Sequence, residues 1–181
     1  MNLPNKLTLL RICLIPVFVI LMLSQINNFF LIACIVFMVA SITDFLDGHL
    51  ARKYNNVSDY GKLMDPIADK LSVNSLLIIL SAYGYIHPVI PVIVVMRDMI
   101  VNTIRLFANT NGEVVPAGYT GKFKTAFLMI GLMLKLFSNF PFAFINVAVD
   151  DFFLIAGTIL SLISGFEYYE AYKKYLFKRQ D

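Results

Sequence analysis

The chain has 181 residues, of which 59% are hydrophobic and 15% charged, with a formal net charge of +3. That apolar share exceeds what a soluble core of this length needs and places the chain among integral membrane proteins. The two cysteines, Cys13 and Cys34, fall in apolar stretches without metal or redox spacing, so no disulfide framework is implied.

Six apolar stretches are each long enough to cross roughly 30 Å of hydrocarbon as a helix of about 20 residues. They predict an all-α membrane domain over 1–181, with helices near 5–25, 29–53, 61–82, 88–108, 120–139 and 147–172. Asn2-Leu-Pro-Asn5 opens the first with turn chemistry, and Lys6 and Arg11 follow near the headgroup level. No small-residue cleavage site follows its apolar run, so it reads as a retained helix. The second helix stays apolar until Thr43 and brings Asp44 and Asp47 to its last turns. A polar turn, Asn55 to Tyr60, precedes the third, whose first two turns hold Asp65, Pro66 and Asp69.

The fourth span carries Arg97, Asp98, Asn102 and Arg105 among aliphatic residues, and such charges must face protein or water. Neighbouring side chains diverge by about 100° on a helix, so Arg97 and Asp98 are poorly placed to pair with each other. The fifth span opens with Gly121-Lys122-Phe123-Lys124-Thr125 and ends with Lys135, which is expected to reach the outer interface. The sixth ends in an aromatic and basic tail, Phe166 to Arg179, read as an interfacial anchor. Lys62, Lys70 and Asp59 read as solvated charges, and His49 and His87 receive no role.

Basic residues are sorted along the chain. Lys and Arg flank both termini and the second and fourth connections, while the first, third and fifth hold none. The positive-inside rule then puts both termini, and the aspartates near the second connection, on the cytosolic face of the cell membrane.

The densest charge is the pattern D-x2-D-G-x2-A-R-x8-G-x3-D-x3-D, formed by Asp44, Asp47, Gly48, Ala51, Arg52, Gly61, Asp65 and Asp69. Each intramembrane carboxylate costs about 3 kcal/mol on insertion scales, so four together call for a neutralising ion or a watery cavity. Four oxygen donors suit Mg2+ or Mn2+ over Zn2+, and two such ions balance four charges. Paired ions suit phosphoryl transfer.

With this pattern matched at every position, the chain resembles the CDP-alcohol phosphatidyltransferases. Pro4-Asn5-Lys6-Leu7-Thr8, Arg11, the Arg97-Asp98 pair, Arg105 and the Gly121 to Thr125 segment look like the branch that makes phosphatidylglycerophosphate. The resemblance implies transfer of a phosphatidyl group from CDP-diacylglycerol to sn-glycerol 3-phosphate, releasing CMP, by a homodimer. It implies that Asp44, Asp47, Asp65 and Asp69 ligate two ions, with Asp69 also the general base. Gly48, Ala51 and Arg52 would line the CDP site. Arg97, Arg105, Lys122 and Lys124 are candidates for the acceptor's phosphate, since Arg offers paired donors and Lys a point charge. A sibling enzyme using another alcohol stays in view, as does a divalent-cation transporter, although the apolar outer halves of the second and third helices offer no continuous polar path.

Overall fold

The computed structural model describes residues 3–24, 32, 35–39, 59–110, 115–116, 118–145 and 147–176, and all regular elements among them are helical. The helices are α1 (Leu3–Ser24), α2 (Asp59–Ala82), α3 (Val89–Thr110), α4 (Tyr119–Leu136) and α5 (Val149–Leu176), with a 3-10 turn at Phe142–Ile145 before α5. Residues 35–39 are also helical, inside the expected second span, most of which lies outside the described residues.

Two boundaries differ from expectation for local reasons. Helix α2 already includes Asp59 and Tyr60, the last two residues of the expected polar turn, and Pro66 is an interior residue. Asp65 and Asp69 accordingly stand in the second and third turns. Helix α4 stops at Leu136 because Ser138 and Asn139 take positive φ values of 54° and 58°. Asn139 then clasps the connection: its backbone N–H donates to Leu134 O at 2.7 Å, its side-chain amide donates to Val147 O at 2.6 Å, and its Oδ1 accepts from Asp150 N at 3.3 Å.

Glycines let α4 and α5 pack as a close antiparallel pair. A methyl group at Gly131 would stand 2.9 Å from Leu154 Cγ and 3.0 Å from Leu154 N, and one at Gly157 would stand 2.9 Å from Leu128 Cγ. Leu128, Leu132, Leu136 and Leu154 are fully or almost fully buried and join Leu76, Leu77, Leu80 and Val94 in one core. Helix α3 packs on α5, and α1 packs on α2. The Tyr83 hydroxyl donates to Met22 O at 3.1 Å and ties the ends of that second pair.

Helix α5 is built with its polar side inward. Thr158, Ser161 and Ser164 are buried, while Phe152, Ile155, Ile159, Leu162 and Phe166 face outward. A soluble helix has the reverse arrangement, and small polar residues at helix contacts with large apolar ones outside are characteristic of packing within lipid. Among the described residues one helix, over Val149–Lys173, is long and apolar enough to cross a membrane; Ile12–Ser24 and Lys70–Ala82 are shorter apolar stretches.

Candidate functional site

Helices α2, α3, α4 and α5 converge on a group of charges around Asp98. The Asp98 carboxylate accepts from Arg97 Nη1 at 2.9 Å and from Lys124 Nζ at 2.6 Å, and all three side chains are at most a tenth exposed. Arg97 and Asp98, expected to be poorly placed for pairing, do pair. The Arg97 stem is long enough to fold back across its own turn, and Gly165 makes room for it: a methyl group there would lie 3.0 Å from Arg97 Cγ. Arg97 Nη2 donates in addition to Ser164 Oγ on α5.

Tyr168 organises the other side of the group. Its hydroxyl accepts from Arg105 Nη2 at 2.7 Å and from Gly118 N at 2.8 Å, and donates to Pro116 O at 2.8 Å. The guanidinium carbons of Arg97 and Arg105 lie 5.7 Å and 5.1 Å from its ring centre, within cation–π range. The aromatic tail is thus more than an interfacial anchor, because α5 stays helical through Leu176 and carries Tyr168 into the protein, 5% exposed.

Lys70 on α2 donates to Asn102 Oδ1 on α3 and is half-buried, not a solvated charge. The charges of Asp98, Arg105, Lys124 and Arg97 all act on it. Among the described residues, four cations thus gather near one carboxylate, Asp98, which Arg97 and Lys124 bind directly. The buried Nε atoms of Arg97 and Arg105 have no hydrogen-bond partner among the described residues. Such an excess of positive charge and unused donors is what an anion with several oxygens neutralises.

Of the expected phosphate ligands, Arg97, Arg105 and Lys124 come together, whereas Lys122 is exposed and lies over the Tyr119 ring at 5.4 Å. Lys135, expected at an outer interface, is held by carboxylates, 3.0 Å from Asp150 Oδ2 and 2.7 Å from Asp151 Oδ1. Asp44, Asp47, Gly48, Ala51 and Arg52 lie outside the described residues, and of Asp65 and Asp69 only the backbone is described, four residues apart in α2. Among the described residues no three His, Cys, Asp or Glu side chains gather as a metal site. The expected quartet is all hard oxygen donors, a set that fits Mg2+ or Mn2+.

Sequence reasoning overlooked Tyr168, Ser164 and the Lys70–Asn102 contact. The available signal was polar spacing on α5: Ser161, Ser164 and Tyr168 fall at intervals of three and four, the period of one helix face.

Residues 1–163 match the family model of the CDP-alcohol phosphatidyltransferases. The CDP-diacylglycerol–glycerol-3-phosphate 3-phosphatidyltransferase of Bacillus subtilis (strain 168) is 38% identical over 180 residues, covering 93% of this chain and 93% of that protein. The protein of the same name from Rickettsia felis is 36% identical over 177 residues, covering 96% of this chain and 97% of the relative. That from Pseudomonas fluorescens is 35% identical over 176 residues, covering 94% and 90%. The chain belongs to the CDP-alcohol phosphatidyltransferase family.

Proposed function

We propose that the protein transfers the phosphatidyl group of CDP-diacylglycerol to sn-glycerol 3-phosphate, giving phosphatidylglycerophosphate and CMP in anionic phospholipid synthesis. The observation that carries this reading is the cluster of Lys70, Arg97, Arg105 and Lys124 around Asp98, the one carboxylate found there among the described residues. An uncharged acceptor such as serine's hydroxyl or inositol gives no reason to hold that much positive charge beside the helix of Asp65 and Asp69. A phosphomonoester does. The names of the relatives, which specify glycerol 3-phosphate, support the same acceptor.

In this reading Asp44, Asp47, Asp65 and Asp69 hold two divalent cations, Mg2+ or Mn2+, whose charge offsets that of the donor's diphosphate. Arg97, Arg105 and Lys124 hold the acceptor's phosphate, with Lys122 at the rim. Asp69 accepts the proton of the acceptor hydroxyl, whose oxygen bonds to the phosphorus bearing diacylglycerol. The bond from that phosphorus to the bridging oxygen breaks, and CMP leaves with the electron pair. Gly48, Ala51 and Arg52 line the cytidine side. The outward apolar face of α5 and the sorting of Lys and Arg support six membrane spans with the site open to the cytosol. The family resemblance extends this reading to a homodimer as the working form.

Asp69→Asn tests the proton step. The variant should retain CDP-diacylglycerol binding and lose at least about 100-fold in turnover, the lower range for a general base. Normal turnover would remove Asp69 from that role. Chelation with EDTA should stop CMP release and Mg2+ or Mn2+ should restore it; activity that persists after chelation would contradict the metal assignment.

A further inference from the structure

Lys70 has a place in the charge group that the four expected phosphate ligands do not account for. Its ammonium has three donors, and among the described residues one is used, by Asn102 Oδ1. Among those residues it has no carboxylate partner, since Asp98 is taken by Arg97 and Lys124. Asn102 stands four residues after Asp98 and three before Arg105 on α3, so the hydrogen bond places Lys70 on the helix face that carries the charge group. Lys70 also follows Asp69 directly in α2, whereas Arg97, Arg105 and Lys124 stand on α3 and α4.

We propose that Lys70, oriented by Asn102, binds a phosphate oxygen of the acceptor and fixes its distance from the residue that takes the hydroxyl proton. Arg97, Arg105 and Lys124 would supply charge from one side, and Lys70 would tie the anion to the helix of Asp65 and Asp69. This role rests on the reading of the cluster as the acceptor's phosphate pocket. Asn102 acts through Lys70 and is a positioning residue.

The test is calorimetric binding of sn-glycerol 3-phosphate, and separately of inorganic phosphate, to the purified full chain in detergent. Lys70→Gln should weaken both anions by about tenfold or more, the scale of a charged hydrogen bond. Lys70→Arg should recover most of the loss, and the KM for CDP-diacylglycerol should stay within about twofold, since the donor makes no use of this group. Asn102→Ala, which keeps the charge and frees its orientation, should weaken binding by about threefold and carries the test if Lys70→Gln does not fold. Unchanged anion affinity in Lys70→Gln, or a rise confined to the donor KM, would overturn the role of Lys70. If wild-type protein makes no phosphatidylglycerophosphate yet Lys70→Gln still loses inorganic phosphate, Lys70 stands as an anion ligand and only the acceptor is reassigned.

Discussion

Tyr168 accepts a 2.7 Å hydrogen bond from Arg105 Nη2 and presents its ring face to the same guanidinium at 5.1 Å, so one side chain fixes both the position and the plane of the arginine. Tyr168→Phe keeps the ring and removes the hydroxyl. It should raise the KM for glycerol 3-phosphate by about three- to tenfold, the scale of one hydrogen bond to a charged group. The KM for CDP-diacylglycerol should hold. Steady-state kinetics with each substrate varied in turn decide it, and equal changes in both would show that Tyr168 serves the fold as a whole.

Asp98 is the shared counter-ion of Arg97 and Lys124, and removing one charge of a buried network leaves the others uncompensated. Asp98→Asn should therefore destabilise the protein by about 2–4 kcal/mol as well as impair acceptor binding. Denaturant unfolding in micelles measures the first effect. A variant as stable as wild type would mean that water already screens the group.

The close approach of α4 and α5 makes Gly131 and Gly157 sensitive to a single methyl group. Backbone N of Leu154 lies 3.0 Å from the first position and backbone N of Leu128 lies 3.1 Å from the second, so neither contact is relieved by a rotamer change. Each Gly→Ala change should cost about 1–3 kcal/mol by overpacking. Unfolding midpoints give the readout, and a Gly131→Ala variant with an unchanged midpoint would contradict the packing described here.

Lys135 offers a control for stability without catalysis. It sits eleven residues beyond Lys124 on α4, about 16 Å along the axis, and is bound to Asp150 and Asp151. Lys135→Gln should lower the unfolding midpoint by several degrees, roughly what 1–2 kcal/mol does in a domain of this size, with both KM values unchanged. A shift in acceptor KM would show that the two ends of the bundle are coupled.

Much of this was legible in the residues. The expected spans at 61–82, 88–108, 120–139 and 147–172 each meet a helix, because a long apolar run bounded by polar turns has few other folds open to it. Arg97, Arg105 and Lys124 were recognisable because a cation at membrane depth needs a partner. The ends were less legible: composition does not announce that Ser138 and Asn139 adopt left-handed backbone and close α4 early. Sequence alone makes Tyr168 part of an interfacial anchor and Lys70 a solvated charge. Their contacts depend on how far α5 is rotated against α3 and on where α2 meets Asn102, which are tertiary facts that local sequence does not encode. The aspartate pattern, by contrast, is legible only in sequence, since Asp44 and Asp47 fall outside the described residues.

The most direct measurement is CMP release from CDP-diacylglycerol by the purified protein with Mg2+ or Mn2+, with glycerol 3-phosphate, inositol, inositol phosphate, serine and phosphatidylglycerol compared as acceptors. Metal-dependent release with glycerol 3-phosphate, far above every other acceptor, is the predicted result. Preference for serine, inositol or phosphatidylglycerol would contradict the assignment of Arg97, Arg105 and Lys124 to the phosphate of glycerol 3-phosphate, and no release with any acceptor would contradict the transferase reading itself.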